Sequence, residues 1–418
     1  MRIDAKQTVP PKVNVFSETS RLRAVLLHRP GVEIERMTPA NAAEALYSDI
    51  LNKSIVDEEF HYFSGVLERW ADVYYVEDIL AGLLGSSEMR EIILAENLRH
   101  CDYRTRIRLA EMLGELDADQ LAKVLIEGFQ DPKWDGISER RYLLKPLYNL
   151  FFTRDASATI YNRVLINSMS EPVRERETLL YDTIFRRYFH TETLNALDVD
   201  PFARTEGGDV QIASPDLLCI GQGQRTNAKG IDYLGMTFAR ERDHFNIIVQ
   251  ELPLAPESFI HLDMVFTFLG KHRCMAFEPM LRRRGLFADK ETSIVNIDHG
   301  KVTFREAENI VDALRMLGWD IEPIFVGGDD PWNQQREQWH SGANFFAIDD
   351  CKIMGYRRNV NTIDALDRAG FAVLNAEDIV AGKVDMESYG NFIATMPGSE
   401  LPRGGGGGRC MTMPISRD

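Results

Sequence analysis

The sequence predicts an α/β ring of repeated strand-strand-helix-strand units that carries an inserted helical bundle. Three observations predict it. Two short apolar runs and a helical stretch recur at 151–188, 208–251 and 344–375, the last two with a closing apolar run, roughly every fifty to eighty residues, the kind of period that marks propellers and arrays. The two chain ends each supply a strand that has no partner in its own unit. Between 77 and 145 the apolar residues recur at helical spacing instead.

In chain order, 21–29 reads as a buried strand ended by the turn Pro30-Gly31. Helical periodicity runs from about 39 to 71, and 73–76 reads as a second strand. In the helical block, Ile79, Leu80, Leu83 and Leu84 are followed by Ile92, Ile93 and Leu94, then Ile107, Leu109 and Leu113, then Leu121, Val124, Leu125 and Ile126. Asp117 or Asp119 is placed to cap the last helix. The expected division is one body of 1–76 with 146–418, and an insertion of 77–145. The repeats follow: strands 151–155 and 163–167 with a helix to 188, then strands 208–213 and 217–221 with a helix from 228 and a strand 247–251. The last has strands 344–349 and 352–356, a helix 362–368 and a closing strand 371–375. Pairing 410–415 with 21–29 would close the ring and remove two sheet edges. The starts of the first strands then converge on the axis, bringing Asp155, Asp209, His261 or Asp263, Asn344 and Cys410 together.

Composition limits the partners. A formal net charge of −16 disfavours nucleic acid and anionic membrane, both of which need a basic footprint. The first residues lack an apolar signal core and no later run approaches a membrane span, so a cytoplasmic protein is expected. Five scattered cysteines, Cys101, Cys219, Cys274, Cys351 and Cys410, include no CxxC pair. They fit a reducing compartment and neither a disulfide framework nor a structural zinc site.

The chemistry centres on Cys410. Residues 404–408 are all glycine, so the backbone beside the thiol is free to take positive φ and another molecule can approach closely. Arg409 and Arg403 would favour the thiolate, the form that attacks electrophiles. Asp155 stands where a strand is expected to begin, Glu206 and Asp209 flank a Gly-Gly bend, and His261 with Asp263 share one face if that segment is extended. Singly each has a structural use, as a tail cysteine, a turn acid or a core histidine. Their joint occurrence at equivalent places in a repeated unit is what points to a site. No histidine pair with ligand spacing accompanies them, so no metal is expected.

The residues at 23–31, 149–155, 174–178, 206–209, 223–226, 261–267, 396–401 and 409–414 together resemble the bacterial arginine deiminases over nearly the whole length. The resemblance implies a five-bladed propeller with a helical insertion. It implies hydrolysis of free L-arginine to L-citrulline and ammonia with no metal or organic cofactor. Cys410 would be the nucleophile and His261 the acid and base oriented by Glu206, with Asp155 and Asp263 gripping the guanidinium. Arg174 and Arg225 would bind the substrate carboxylate, Asn149 and Phe152 the amino acid portion, and Asp209 would support them. Several family members carry an arginine five residues before the cysteine, acting in a gate. This chain has Gly405 there, which leaves a gating loop of Arg403, Gly405 and Arg409, expected to be a mobile lid that orders on substrate. A homo-oligomer of unspecified order is expected. The alternatives are another guanidine-modifying enzyme (amidinotransferase, methylarginine hydrolase or arginine dihydrolase) and a noncatalytic arginine-binding sensor.

Overall fold

The computed structural model describes residues 9–39, 41–47, 49–99, 101–133 and 141–418. The structure is α/β, and five of its six sheets repeat one order among the described residues. In each, an inner strand runs antiparallel to a second strand, and a third lies parallel to that second strand after a helical crossover. The sheets are built on Met413–Arg417 with Leu22–Leu27 and Asp72–Tyr75, and on Ser157–Ile160 with Arg163–Ile166 and Thr193–Leu194. The next is Val210–Ser214 with Leu217–Gln222 and His244–Glu251, then Phe266–Gly270 with Arg273–Ala276 and Glu322–Phe325. The last is Phe346–Asp349 with Lys352–Tyr356 and Phe392–Met396. The two chain ends therefore share a sheet, as expected from their unpaired strands.

The first sheet shows how packing follows from alternation. Along Leu22–Leu27, Val25 and Leu27 face a cluster with Val56, Phe60, Phe63 and Leu67 of the helix Lys53–Glu68. Ala24 and Leu26 face the opposite cluster, with Val76, Ile79, Leu80, Leu121 and Leu125. Period-two alternation thus seats the helix Lys53–Glu68 on one side of this sheet and a group of helices from Val76 to Glu127 on the other. That group comprises the helices Val76–Leu84, Ser87–Asn97, Tyr103–Gly114 and Ala118–Glu127. Asp117 caps the last in a reciprocal box with Gln120. Residues 134–140 of the expected insertion lie outside the described residues.

Three expectations are corrected. Periodicity over 39–71 yields a helix only at Lys53–Glu68, started by Asn52 accepting from Ser54 N, because the preceding segment closes in turns. The closing strand beside Lys352–Tyr356 is the fully buried Phe392–Met396, whereas Ala372–Asn375, half exposed, takes the sheet edge. A strand covered on both faces must be apolar or have its polar groups paired, and in Phe392–Met396 the one polar side chain, Thr395, donates to Leu374 O at 3.0 Å. A copy at 266–325 escaped the sequence reading because the hairpin Thr292–Asp298 and Lys301–Ala307 interrupts it and joins the neighbouring sheet beside His244–Glu251. No helix among the described residues is long and apolar enough to cross a membrane.

Candidate active site

Each inner strand is preceded by a tight turn that carries a polar residue inward. Asp155 sits in the one-turn helix Thr153–Ala156, Asp209 in the 3-10 turn Gly207–Asp209 and Asp263 in Leu262–Met264. Asp155 is therefore not at the start of a strand, and Asp263 is not extended like His261, whose backbone has φ −135° and ψ 159°. A tight turn before each strand aims the carboxylates at one point better than a continuous strand, whose side chains alternate between faces.

A cavity of about 550 Å³ opens over this point. Its wall includes Asn149, Phe152, Asp155, Arg174, Glu206, Arg225, His261 and Cys410, with Arg403 and Gly405 toward one side. Thus eight of the residues expected at the reaction or on substrate meet in one place. Asp263 lies just behind the wall, with its Oδ1 and Oδ2 3.9 and 3.7 Å from Cys410 Sγ. Asp209 is fully buried and supports the site from beneath, its Oδ1 accepting from Leu262 N at 2.9 Å. Burial lifts its carboxyl to about 7.

His261 Nε2 is 2.9 Å from Glu206 Oε2, and its Nδ1 is 3.9 Å from Asp155 Oδ1. Burial opposes a charged imidazole, but Asp155, the Glu206 hydrogen bond and Asp209 together raise His261 to about 9. Glu206 is held at about 2 against the cost of burial by His261, Arg225 and Arg174. Its Oε1 also accepts from Ser170 N and Oγ, both at 3.1 Å. Imidazolium and carboxylate are thereby fixed as an ion pair.

The glycines of the 206–209 bend do not supply positive φ. They permit contact instead: a Cβ on Gly207 would stand 2.0 Å from Arg154 O, and one on Gly208 2.4 Å from His261 Nδ1. Gly208→Ala must push the imidazole aside, and misplacement by about 1 Å costs about a hundredfold in rate. Steady-state turnover by the variant, with circular dichroism to confirm folding, checks this.

The environment of Cys410 reverses the expectation of a pre-formed thiolate. Burial pushes the thiol well above its ordinary value, and Asp263 and Asp155 push it further. Arg409 cannot offset this because its guanidinium is committed elsewhere, to Glu18 through Nε and Nη2 and to Asp263 through Nη1 at 2.9 Å. Arg403 is turned away, binding Asp49 and Glu400. Arg409 is also no part of a gate, since it is 1% exposed and lies beneath the site. Nor does the glycine run project as a lid. Gly404 and 406–408 are buried, and Gly405 alone is exposed, with φ 89°. A Cβ on Gly406 would meet Phe152 at 2.4 Å and one on Gly407 would meet Asn344 at 2.7 Å, so the run is glycine because it packs without side chains.

Arg174 lines the cavity, but its donors are bound inward: Nη1 to Asp155 Oδ2 at 2.6 Å, Nε and Nη2 to Glu177 at 3.0 and 2.9 Å. Arg225 is looser, with Nη1 3.3 Å from Ser170 Oγ and 3.6 Å from Glu206 Oε1, and its Nε has no partner. Glu18, Ser170 and Glu177 were missed by sequence reasoning because they lie outside the strand starts that organised it. Asn344 was placed at such a start without a role. Outside the cavity, His244, Asp298 and His299 could offer three atoms to an ion, and all three are exposed.

The arginine deiminase family model matches residues 44–417. The chain belongs to the arginine deiminase family. A relative named arginine deiminase, from Borrelia garinii subsp. bavariensis, is 28% identical over 425 residues, covering 97% of this chain and 98% of its own. Among solved structures, SxtG, an amidinotransferase from Microseira wollei, matches with a TM-score of 0.53 at 14% identity over 97% of both chains. The N-terminal domain of ArgZ, a cyanobacterial arginine dihydrolase bound to product, matches at 0.51 and 12% over 94% of this chain and 97% of that one. DDAH from Pseudomonas aeruginosa with citrulline matches at 0.50 and 12% over 94% and 99%. These likenesses bear on the fold. In this deiminase-family chain all five cysteines are free.

Proposed function

We propose that the protein hydrolyses the guanidinium group of free L-arginine to L-citrulline and ammonia through a covalent thiouronium on Cys410. The observation that carries the reading is the gathering of one thiol, one charged imidazole and three carboxylates around a single cavity of amino acid size. A guanidinium is planar and presents a rigid fork of N–H donors. Asp155 Oδ1, which has no protein hydrogen-bond partner, takes one edge of that fork, and Asp263 Oδ1 beside the sulfur takes the other. The bound cation then neutralises the two carboxylates that hold the thiol protonated, so the thiol gives up its proton to solvent as the electrophile enters, and the sulfur takes one back when citrulline leaves. The sulfur adds to the guanidinium carbon, His261 protonates the leaving nitrogen, and ammonia departs. His261, now neutral, takes a proton from water as its oxygen adds to the carbon, and the C–S bond breaks to release citrulline.

Arg225 provides the cation for the substrate carboxylate, while Arg174 steadies Asp155 and adds its charge. Asn149 and Phe152 flank the aliphatic portion. We read the five sheets as blades of a propeller closed by the shared terminal sheet, with 77–145 as an inserted bundle on a body of 1–76 and 146–418. The free cysteines support a reducing, cytoplasmic setting, and a homo-oligomer is the assembly we propose.

Incubation of the purified protein with L-arginine tests the reading. One citrulline per ammonia supports it, ornithine with two ammonias indicates a dihydrolase, and binding without turnover indicates a sensor. The pH profile gives a second check. Since His261 must enter charged, kcat/KM, which reports groups of the free protein, falls on the alkaline side as pH rises through about 9. The same shift stabilises the fold: its contribution is complete below 6.5 and is lost as pH rises through about 9. That of Glu206 is present above 4.5 and is lost as pH falls toward about 2. Thermal unfolding of Glu206→Gln across pH should lack the acid limb and show a weaker alkaline limb, since Asp155 and Asp209 still favour the imidazolium.

A further inference from the structure

We propose that Asn344 is a catalytic residue whose side-chain amide donates a hydrogen bond to the Cys410 thiolate during attack. The proposal rests on the deiminase reading above and adds a group at the reacting sulfur. Asn344 is 1% exposed and stands in the turn before Phe346–Asp349, where other sheets carry Asp155, Asp209 and Asp263. Here the inward residue is a neutral amide in place of a carboxylate.

The orientation of the amide is fixed by its partners. Asn344 Oδ1 accepts from Arg409 N at 2.9 Å and from Cys410 N at 3.2 Å. A flipped amide would aim its NH2 at two N–H donors, which excludes it. Nδ2 is therefore forced toward Cys410 Sγ at 3.1 Å. Its remaining contacts are weaker, Asp263 O at 3.3 Å and Met264 Sδ at 3.7 Å. Gly407 makes the arrangement possible, since a Cβ there would collide with the Asn344 side chain at 2.7 Å.

The chemistry explains why an amide is suited to this place. The sulfur lies beside Asp263, whose carboxylate opposes a negative charge on it. A lysine or arginine at 344 would offset that, but it would also compete with the substrate cation for the same acids. A third carboxylate would hold the thiol protonated. A neutral donor at 3.1 Å stabilises the thiolate and leaves the cation site free. With the amide fixed before the reaction, the sulfur needs no new partner as its charge forms.

Asn344→Ala removes the donor without adding charge and is the deciding variant. Asn344→Asp keeps an acceptor for the two backbone N–H groups but adds a third carboxylate, so its midpoint should move at least as far, and circular dichroism establishes which variants are folded. The readout is the pH dependence of Cys410 carbamidomethylation by iodoacetamide, followed on the Cys410 peptide by mass spectrometry, alongside kcat and KM for arginine. A hydrogen bond to a charged group predicts that the alkylation midpoint moves up by about one to two pH units in either folded variant. By analogy with the loss of an oxyanion donor, kcat should fall about a hundredfold or more with little change in KM. A midpoint that moves by less than one pH unit in a folded variant overturns the proposal. Alkylation requires no substrate, so the result stands even if the wild-type protein fails to make citrulline, an outcome that would instead overturn the deiminase reading.

Discussion

Cys410→Ala is expected to abolish citrulline formation, with kcat falling by about 10⁶-fold, the scale seen when a covalent nucleophile is removed. The reason is that no other group at the cavity can form the intermediate. The other cysteines, Cys101, Cys219, Cys274 and Cys351, do not line it, and Cys219 and Cys274 are fully buried. Water alone would have to attack a delocalised cation, which is a poor electrophile. Binding should survive, because Asp155, Arg225, Asn149 and Phe152 remain in place and Asn344 Oδ1 still holds the 409–410 backbone. Arginine should therefore still raise the melting temperature of the variant, in proportion to the logarithm of its concentration above Kd. Citrulline production by this variant at a rate near that of the wild type would remove the thiol from the mechanism.

Much of this site was legible because the repeat was legible. Once the ββαβ period was seen, Asp155, Asp209, Asp263 and Cys410 fell at equivalent places, and the structure brings them to one centre. What the repeat could not convey was the charge state of the thiol. Arg409 and Arg403 are adjacent in sequence to the nucleophile region, yet both are spent on carboxylates, Glu18, Asp263, Asp49 and Glu400. Neighbours along a chain do not fix electrostatic partners when these, as with Glu18, Asp49 and Asp263, come from elements more than a hundred residues away. The glycines misled for a related reason. Positive φ is a local property, but at Gly208, Gly406 and Gly407 glycine answers to side chains from His261, Phe152 and Asn344. The fourth unit was hidden by an interruption: two strands inserted before its helix destroyed the spacing that revealed the others.

Arg409→Met should cost more stability than any surface change, about 3–5 kcal/mol, the range for removing one partner of a buried ion pair. The side chain is 1% exposed and bridges three parts of the chain. Its Nε and Nη2 hold Glu18 at 3.2 and 2.9 Å, its Nη1 holds Asp263 at 2.9 Å, and Nη2 donates to Val210 O at 2.7 Å. Methionine fills much of the volume but leaves two buried carboxylates without their cation, and Arg154 and Arg417 are the cations remaining near Glu18. Urea unfolding measures the loss. The pH dependence separates it from simple packing damage. In the native protein, Glu18 is held at about 2 despite burial, mainly by Arg409, against an ordinary 4.5. A depressed folded value means that its contribution is present above 4.5 and is lost as pH falls toward about 2. Without Arg409 burial dominates and Glu18 takes up its proton at higher pH, so the variant should lose less stability than the wild type over that acid interval. A constant difference between the two proteins across the interval would show that the guanidinium acts there only as a space-filling group.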